Sequence, residues 1–260
     1  MKLLKTILLL CTILVATSCK TETKKEKDIA IKASKAIIES PAELKITPIS
    51  HATMVLQTED KTIYIDPTGG LEAFKAQAKP NLVLITDIHG DHLSLETLEA
   101  IDLSGATLIA PEAVVEKLPT TIKAKVVTLP NDDTYDFEGI AIKAIPMYNL
   151  REEALKFHSK GRGNGYLLTI NEERIYISGD TEDIPEMRAL RNIDKAFVCM
   201  NLPYTMPIES AASAVIDFKP KTVYPYHYRG TEGLSDIEKF KSIVNEKAPS
   251  VAVVFLDWYQ

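Results

Sequence analysis

Short apolar runs with β-type composition recur along most of the chain: "TMVLQ" (53–57), "TIYID" (62–66), "LVLIT" (82–86), "ATLIA" (106–110), "KVVTL" (125–129) and "IAIKAI" (140–145). The series continues with "GYLLTI" (165–170), "RIYIS" (174–178), "AFVCM" (196–200), "TVYPY" (222–226) and "VAVVFL" (251–256). Runs of four to six such residues bounded by turn formers predict strands. Between them, amphipathic spacing predicts helices over 95–101, 111–118, 184–190, 208–218 and 235–246. Pro207 and Glu209 suit a helix start, and Ser235 with Glu238 three residues later forms the signature of a capping box.

The pattern repeats itself. "MVLQTEDKTIYIDPT" (54–68) aligns with "YLLTINEERIYISGDT" (166–181) when Ile63-Tyr64-Ile65 is laid on Ile175-Tyr176-Ile177. Each copy reads as strand, acidic turn, strand and a polar loop holding an aspartate. "LVLITD" and "AFVCMN" then echo one another in the same order. Two matched pairs suggest two related β-rich halves, each covered by helices. Sheets packed face to face would bring the strand-end loops of both halves to one rim.

The N-terminus departs from this pattern. "MKLLKTILLLCTILVATSCK" has a lysine-bearing start, an apolar run shorter than a membrane span and small residues before Cys19. "VATSC" resembles the bacterial lipobox, although Ala16 stands where leucine is more usual. A plain signal peptide cut near Ser18 is the alternative. The resemblance implies a lipoprotein signal peptide over 1–18, a lipid on Cys19 and a flexible tether, "KTETKKEKD", to residue 28. The folded domain is then expected over 29–260. Lys20, in place of an aspartate, favours the outer membrane by likeness to known sorting rules. Contact with the membrane is expected through this lipid alone.

Composition adds exclusions. The 260 residues are 45% hydrophobic and 25% charged, with a formal charge of −6, which gives no electrostatic basis for nucleic-acid binding. Of three cysteines, Cys11 would leave with the signal and Cys19 would carry lipid. Cys199 in "AFVCM" reads as a core thiol, without an intramolecular disulfide partner. The oligomeric state stays open.

Candidate chemistry sits at the strand ends. The five histidines are His51, His89, His92, His158 and His227, each at or near the edge of a β-like run. "DIHGDH" packs Asp87, His89, Asp91 and His92 into six positions, with Gly90 expected to allow the turn. Clustered imidazoles and carboxylates suit a divalent metal: zinc, or manganese and iron where oxygen donors increase. "YISGDTED" adds Asp180 and "VYPYHYRG" adds His227, although a turn role for Asp180 and aromatic packing for His227 stay open for each taken alone.

In this order, "DIHGDH", "GDT" and "YPYHYRG" resemble the metallo-β-lactamase superfamily, whose main motif is H-x-H-x-D-H. "SHATMVLQ" and "TIYIDPTG" resemble its opening hairpin. "MYNL … FHSKGRGNGYLLT" and "GDTEDIPEM" look most like the branch containing L-ascorbate-phosphate lactonase, with N-acylphosphatidylethanolamine phospholipase D more distant. The resemblance implies an α/β fold, an αββα sandwich of two pseudo-related β-rich halves with helices on the outer faces. It implies that Asp91, His92, Asp180 and His227 hold one metal, with Asp180 as a bridge, and that His89 belongs to another. Asp87 replaces the family's first histidine as a metal ligand, a carboxylate that can still ligate and favours a harder ion, and His158 is expected either to complete that first site or to bind substrate. Asp66 is expected to orient a ligand imidazole.

The function these residues imply is hydrolysis of an ester, lactone or phosphoester by metal-activated water, with Asp91 orienting the nucleophile. One or two ions are expected. Arg229, Lys160, Arg162, Tyr148 and His51 are the candidates to hold a small, anionic substrate. A non-catalytic lipoprotein that binds metal or solute on the same scaffold is the alternative. "GRGNG" (161–165) enters a strand rather than a helix, so it is not read as a nucleotide-phosphate loop.

Overall fold

Alternation decides which way each strand faces, and in this chain it sorts two hydrophobic layers. The computed structural model describes residues 44–259. The expected signal segment, Cys19, the tether and the first residues of the expected 29–260 domain lie outside these.

Strands β1 (Lys45–Ser50), β2 (Thr53–Gln57), β3 (Thr62–Ile65), β4 (Leu82–Leu84), β5 (Thr107–Ala110) and β6 (Lys125–Thr128) form one sheet in chain order. The first three pair antiparallel and the rest parallel. A second sheet holds β7 (Thr134–Phe137), β8 (Ile140–Met147), β9 (Gly163–Ile170), β10 (Glu173–Ile177), β11 (Lys195–Cys199) and β12 (Thr222–Tyr226). A small hairpin follows, β13 (Arg229–Gly230) with β14 (Gly233–Leu234), and then β15 (Ala252–Val253) pairs with β12. From β8 onward the second sheet repeats the pairing of the first, antiparallel then parallel. The sequence echo is in register: Met54 faces Ile65 across one hairpin, and Tyr166 faces Ile177 at the matching place in the other.

Parallel neighbours need crossovers, and these carry the helices. They are α1 (Leu95–Ala100), α2 (Glu112–Val115), α3 (Pro185–Arg188), α4 (Ile208–Phe218) and α5 (Ile237–Lys247). In the first sheet Met54, Leu56, Ile63, Ile65, Leu82, Leu84 and Ile109 enter the core shared with the second sheet. Their alternates Val55, Tyr64, Val83, Ile85 and Leu108 form the outer layer, with Leu98 of α1 and Val114 of α2. On the second sheet the Tyr176 ring meets Phe218 of α4, centroids 6.1 Å apart. Each such large side chain contributes about 1.5–3 kcal/mol on burial. The result is the expected αββα sandwich.

Several boundaries differ from the sequence reading. The Ser235 hydroxyl is occupied by the Met200 carbonyl at 2.5 Å, so Asp236 caps α5 instead, accepting from Lys239 N at 2.9 Å. Ser94 caps α1 and accepts from Thr97 N at 3.2 Å. Helices α2 and α3 are four residues each, shorter than predicted. Only Ala252–Val253 of the last apolar run pairs as strand, because β15 engages only Thr222 and Val223 of β12. The unpredicted β1 and β7 are sheet edges: one contains Pro48, which an edge tolerates, and the other reads "TYDF". Among the described residues no helix is long and apolar enough to cross a membrane.

Candidate metal centre

The polar groups are delivered by strand ends. After β4 the chain runs through buried Asp87 into a turn in which His92 N and Leu93 N both donate to the His89 carbonyl, at 3.0 and 2.7 Å. These bonds make the turn. Gly90, expected to permit it, has no positive φ, and a Cβ there would meet open space.

Elsewhere the backbone is bent hard. His51 between β1 and β2, Asp66 after β3 and His227 after β12 have φ of 51°, 45° and 45°. For residues other than glycine this left-handed region costs about 1–2 kcal/mol each. Gly179, at φ 60°, carries the chain into Asp180, and a Cβ there would lie 2.5 Å from Met147 Sδ.

Two donor groups result. In one, Asp91, His92 and His227 each place a ligand atom within 4.8 Å of the others. His227 Nε2 lies 3.2 Å from His92 Nε2 and 3.2 Å from Asp91 Oδ2. In the second group, Asp87, His89 and His158 approach equally closely. Asp180 stands between them: Oδ2 is 3.4 Å from His92 Nε2 and 3.3 Å from His158 Nε2, and Oδ1 is 3.4 Å from His227 Nε2.

Burial by itself would disfavour the His92 imidazolium, but Asp180 and Asp66 hold its pKa well above the ordinary value. Burial likewise pushes Asp180 up, and His227 and His92 overrule it, holding the carboxyl well below its usual range. Asp91 is also lowered, against its burial, by His227 and His92. Two carboxylates, Asp180 buried and Asp91 open to the cleft, thus converge on the imidazoles and call for positive charge.

The donor set fits a divalent cation. Four donors about 2.0–2.1 Å from a tetrahedral ion stand about 3.3 Å from one another; His227 Nε2 keeps that spacing to His92, Asp91 and Asp180, as His92 does to Asp180, while Asp91 and His92 stand wider, at 3.9 Å. His92 Nδ1 is held by Asp66 Oδ2 at 2.8 Å, so its Nε2 lone pair faces the cluster. His158 Nε2 and Asp180 Oδ1 are buried without a hydrogen-bond partner.

Above the donors opens a cleft of about 410 Å3 lined by His51, His89, Asp91, His158, Asp180 and Arg229, among others. The Arg229 guanidinium lies 4.2 Å from the Tyr259 ring centre. His51 packs against His227 and Tyr259, with ring centroids 5.5 and 5.2 Å apart. Burial, and then His227, push the His51 pKa below its ordinary value.

Three residues expected near substrate are engaged elsewhere. The Tyr148 hydroxyl donates to Glu186 at 3.0 Å and the residue is not part of the cleft lining. Lys160 bonds the same Glu186 at 2.9 Å. Arg162 is spent on Asp87, through Nε to Oδ1 at 3.2 Å and Nη2 to Oδ2 at 3.1 Å.

The cleft also contains groups the sequence reading did not single out. Asn201, Phe157 and Tyr204 line it, the two rings meeting edge to face with centroids 5.0 Å apart. Asn201 had a signal: the repeat lays it on Asp87. Phe157 and Tyr204 had none.

Comparison with known proteins agrees with this geometry. The family model described as the β-lactamase superfamily domain matches residues 45–227. A protein of Pyrococcus abyssi named UPF0173 metal-dependent hydrolase is 29% identical over 223 residues, which is 81% of this chain and 96% of that protein. One of the same name from Thermococcus onnurineus is 30% identical over 217 residues, 79% of this chain and 94% of its own length. Among solved structures, a candidate metal-dependent hydrolase from Parabacteroides distasonis superposes with a TM-score of 0.74 at 37% identity, covering 83% of this chain and 94% of that one.

Proposed function

The chain belongs to the β-lactamase superfamily, and from that premise we propose that it is a metal-dependent hydrolase acting on a small anionic ester, lactone or phosphoester. The carrying observation is the set Asp91, His92, Asp180 and His227 at the base of an open cleft, where His227 Nε2 lies 3.2–3.4 Å from a donor atom of each of the other three and His92 Nε2 lies 3.4 Å from Asp180.

When bound, a divalent cation supplies Lewis acidity and a water nucleophile at neutral pH. Zinc suits the mixed nitrogen and oxygen donors, with manganese or iron as alternatives that the carboxylates would also accept. Residues Asp91, His92, Asp180 and His227 would hold it. Asp91, whose side chain is 44% exposed, faces the cleft and can accept a proton from the attacking water while orienting it. Asp66 keeps His92 in the tautomer that presents Nε2. Arg229, fixed on the Tyr259 ring, can pair with an anionic group of the substrate. Phe157 and Tyr204 wall the side near His158 and offer an apolar face to the substrate.

Named relatives that are metal-dependent hydrolases support this reading. The likeness to the L-ascorbate-phosphate lactonase branch, carried by "FHSKGRGNG" and "GDTEDIPEM", favours lactone and phosphoester substrates. With Cys19 lipidated, the enzyme would work in water beside a bacterial outer membrane.

A panel of carboxylic esters, lactones and phosphodiesters, assayed with zinc, manganese and iron in turn, tests the proposal. The expected result is turnover of at least one class, abolished by chelation and lost in Asp91→Ala. Metal uptake without turnover across the whole panel would make it a binding protein instead.

A further inference from the structure

Asp87 reaches the donor cluster with both of its oxygens hydrogen-bonded. Oδ1 accepts from Arg162 Nε and Oδ2 from Arg162 Nη2, and the same Nη2 also donates to the Phe157 carbonyl. Oδ2 further faces His89 Nδ1 at 2.6 Å. Two donor atoms on one tetrahedral ion stand about 3.3 Å apart. A separation of 2.6 Å is a hydrogen bond, in which Nδ1–H donates to the carboxylate and leaves Nε2 as the lone pair of His89.

The arrangement copies the one beside it. Asp66 holds His92 by Nδ1 at 2.8 Å, as Asp87 holds His89. Both carboxylates are fully buried. They differ in charge balance. Asp87 carries a guanidinium partner, so a cation beside the pair meets a site already neutralised. Among the described residues neither Asp91 nor Asp180 pairs with a lysine or arginine. Their charges remain for a metal.

We infer that Asp87 is a positioning residue for His89 rather than a ligand, and that the chain holds one high-affinity cation, on Asp91, His92, Asp180 and His227, beside a weak position furnished by His89 and His158. The inference rests on the metal-dependent reading above. It makes the two halves of the centre unequal: a tight ion with four donors, and a neighbouring pair of imidazoles that Asp180 alone supplements.

The test is to titrate the metal-free full chain with cobalt(II), counting ions by calorimetry and reading ligand-field absorption. The wild type is expected to take up one ion per chain at least about a hundredfold more tightly than any second. Asp87→Asn should keep that count and that spectrum. Asp87→His combined with Arg162→Gln, which supplies a third imidazole and removes the competing charge, should raise the count of tight ions to two. Two wild-type ions of similar affinity, one of them lost in Asp87→Asn, would make Asp87 a ligand and overturn the inference while leaving the hydrolase reading intact. A double variant that still binds a single ion would overturn it as well. Should the variants fail to fold, as circular dichroism would reveal, the wild-type count alone decides. No uptake by the wild type would end both readings.

Discussion

The Asp66 carboxylate fixes His92 by accepting from its Nδ1 at 2.8 Å, while also accepting from Thr86 N at 2.7 Å and Thr86 Oγ1 at 2.6 Å. Burial pushes the Asp66 carboxyl above its ordinary value and these donors oppose the shift. Asp66→Ala removes the acceptor that selects the His92 tautomer. Metal affinity should fall about 10–100-fold, the usual cost of losing such a partner. Competition with a chromophoric chelator measures it, and an unchanged affinity would mean that Asp66 only packs.

His227→Ala deletes a donor that faces His92 Nε2 and Asp91 Oδ2 at once. Hydrolysis should drop by at least about a hundredfold, with less than one ion retained per chain after dialysis. Activity and metal content measured on the same sample check that the two losses coincide.

Arg229→Ala leaves the donors in place and removes the cation that rests on Tyr259. KM for an anionic substrate should rise about tenfold or more, the cost of one charge-assisted hydrogen bond. A neutral analogue should respond much less. Equal losses on both would remove Arg229 from substrate recognition.

Gly230 is closed to any side chain: a Cβ there would come within 1.8 Å of the Leu202 carbonyl oxygen. Gly230→Ala must therefore displace β13 or the Leu202 segment, at a cost of about 1–3 kcal/mol. Because Gly230 lines the cleft, the thermal midpoint and KM should worsen together. A variant as stable as the wild type would show that the segment yields freely.

Burial pushes the Cys199 thiol up to about 12. In a chain with Cys11 and Cys19 replaced by serine, iodoacetamide at pH 8.5 should label Cys199 only after denaturation. The sign for stability follows from a folded pKa above the unfolded one. The stabilising difference is full below the ordinary thiol pKa of about 8.5 and disappears as pH rises through about 12. Guanidinium unfolding across that interval reads it.

Much of this was legible in the residues. The hairpin repeat located Ile63-Tyr64-Ile65 and Ile175-Tyr176-Ile177 on matching strands, because register and burial share the period of two. The donors, too, announced themselves: strand ends followed at once by histidine or aspartate bring Asp91, His92, Asp180 and His227 together. What stayed hidden was pairing between distant loops. Nothing near Arg162 says that its partner is Asp87, seventy-five positions earlier, so a cation that serves the frame read as one for substrate. Tyr148 misled in the same way, since its partner Glu186 lies on a separate helix. Edge strands escaped because Pro48 and the polar "TYDF" run carry little of the burial signal.

Tyr166, rooted in the second sheet, donates across the sandwich to the Ile85 carbonyl of the first at 2.8 Å. His92 and Asp91 hang from that first layer, whereas Asp180 and His227 hang from the other. The jaws of the centre are therefore mounted on separate plates, and their bite is set by how firmly the plates are bolted together. Damage deep in the filling, far from any donor, would be registered first as a change in which ion the protein prefers.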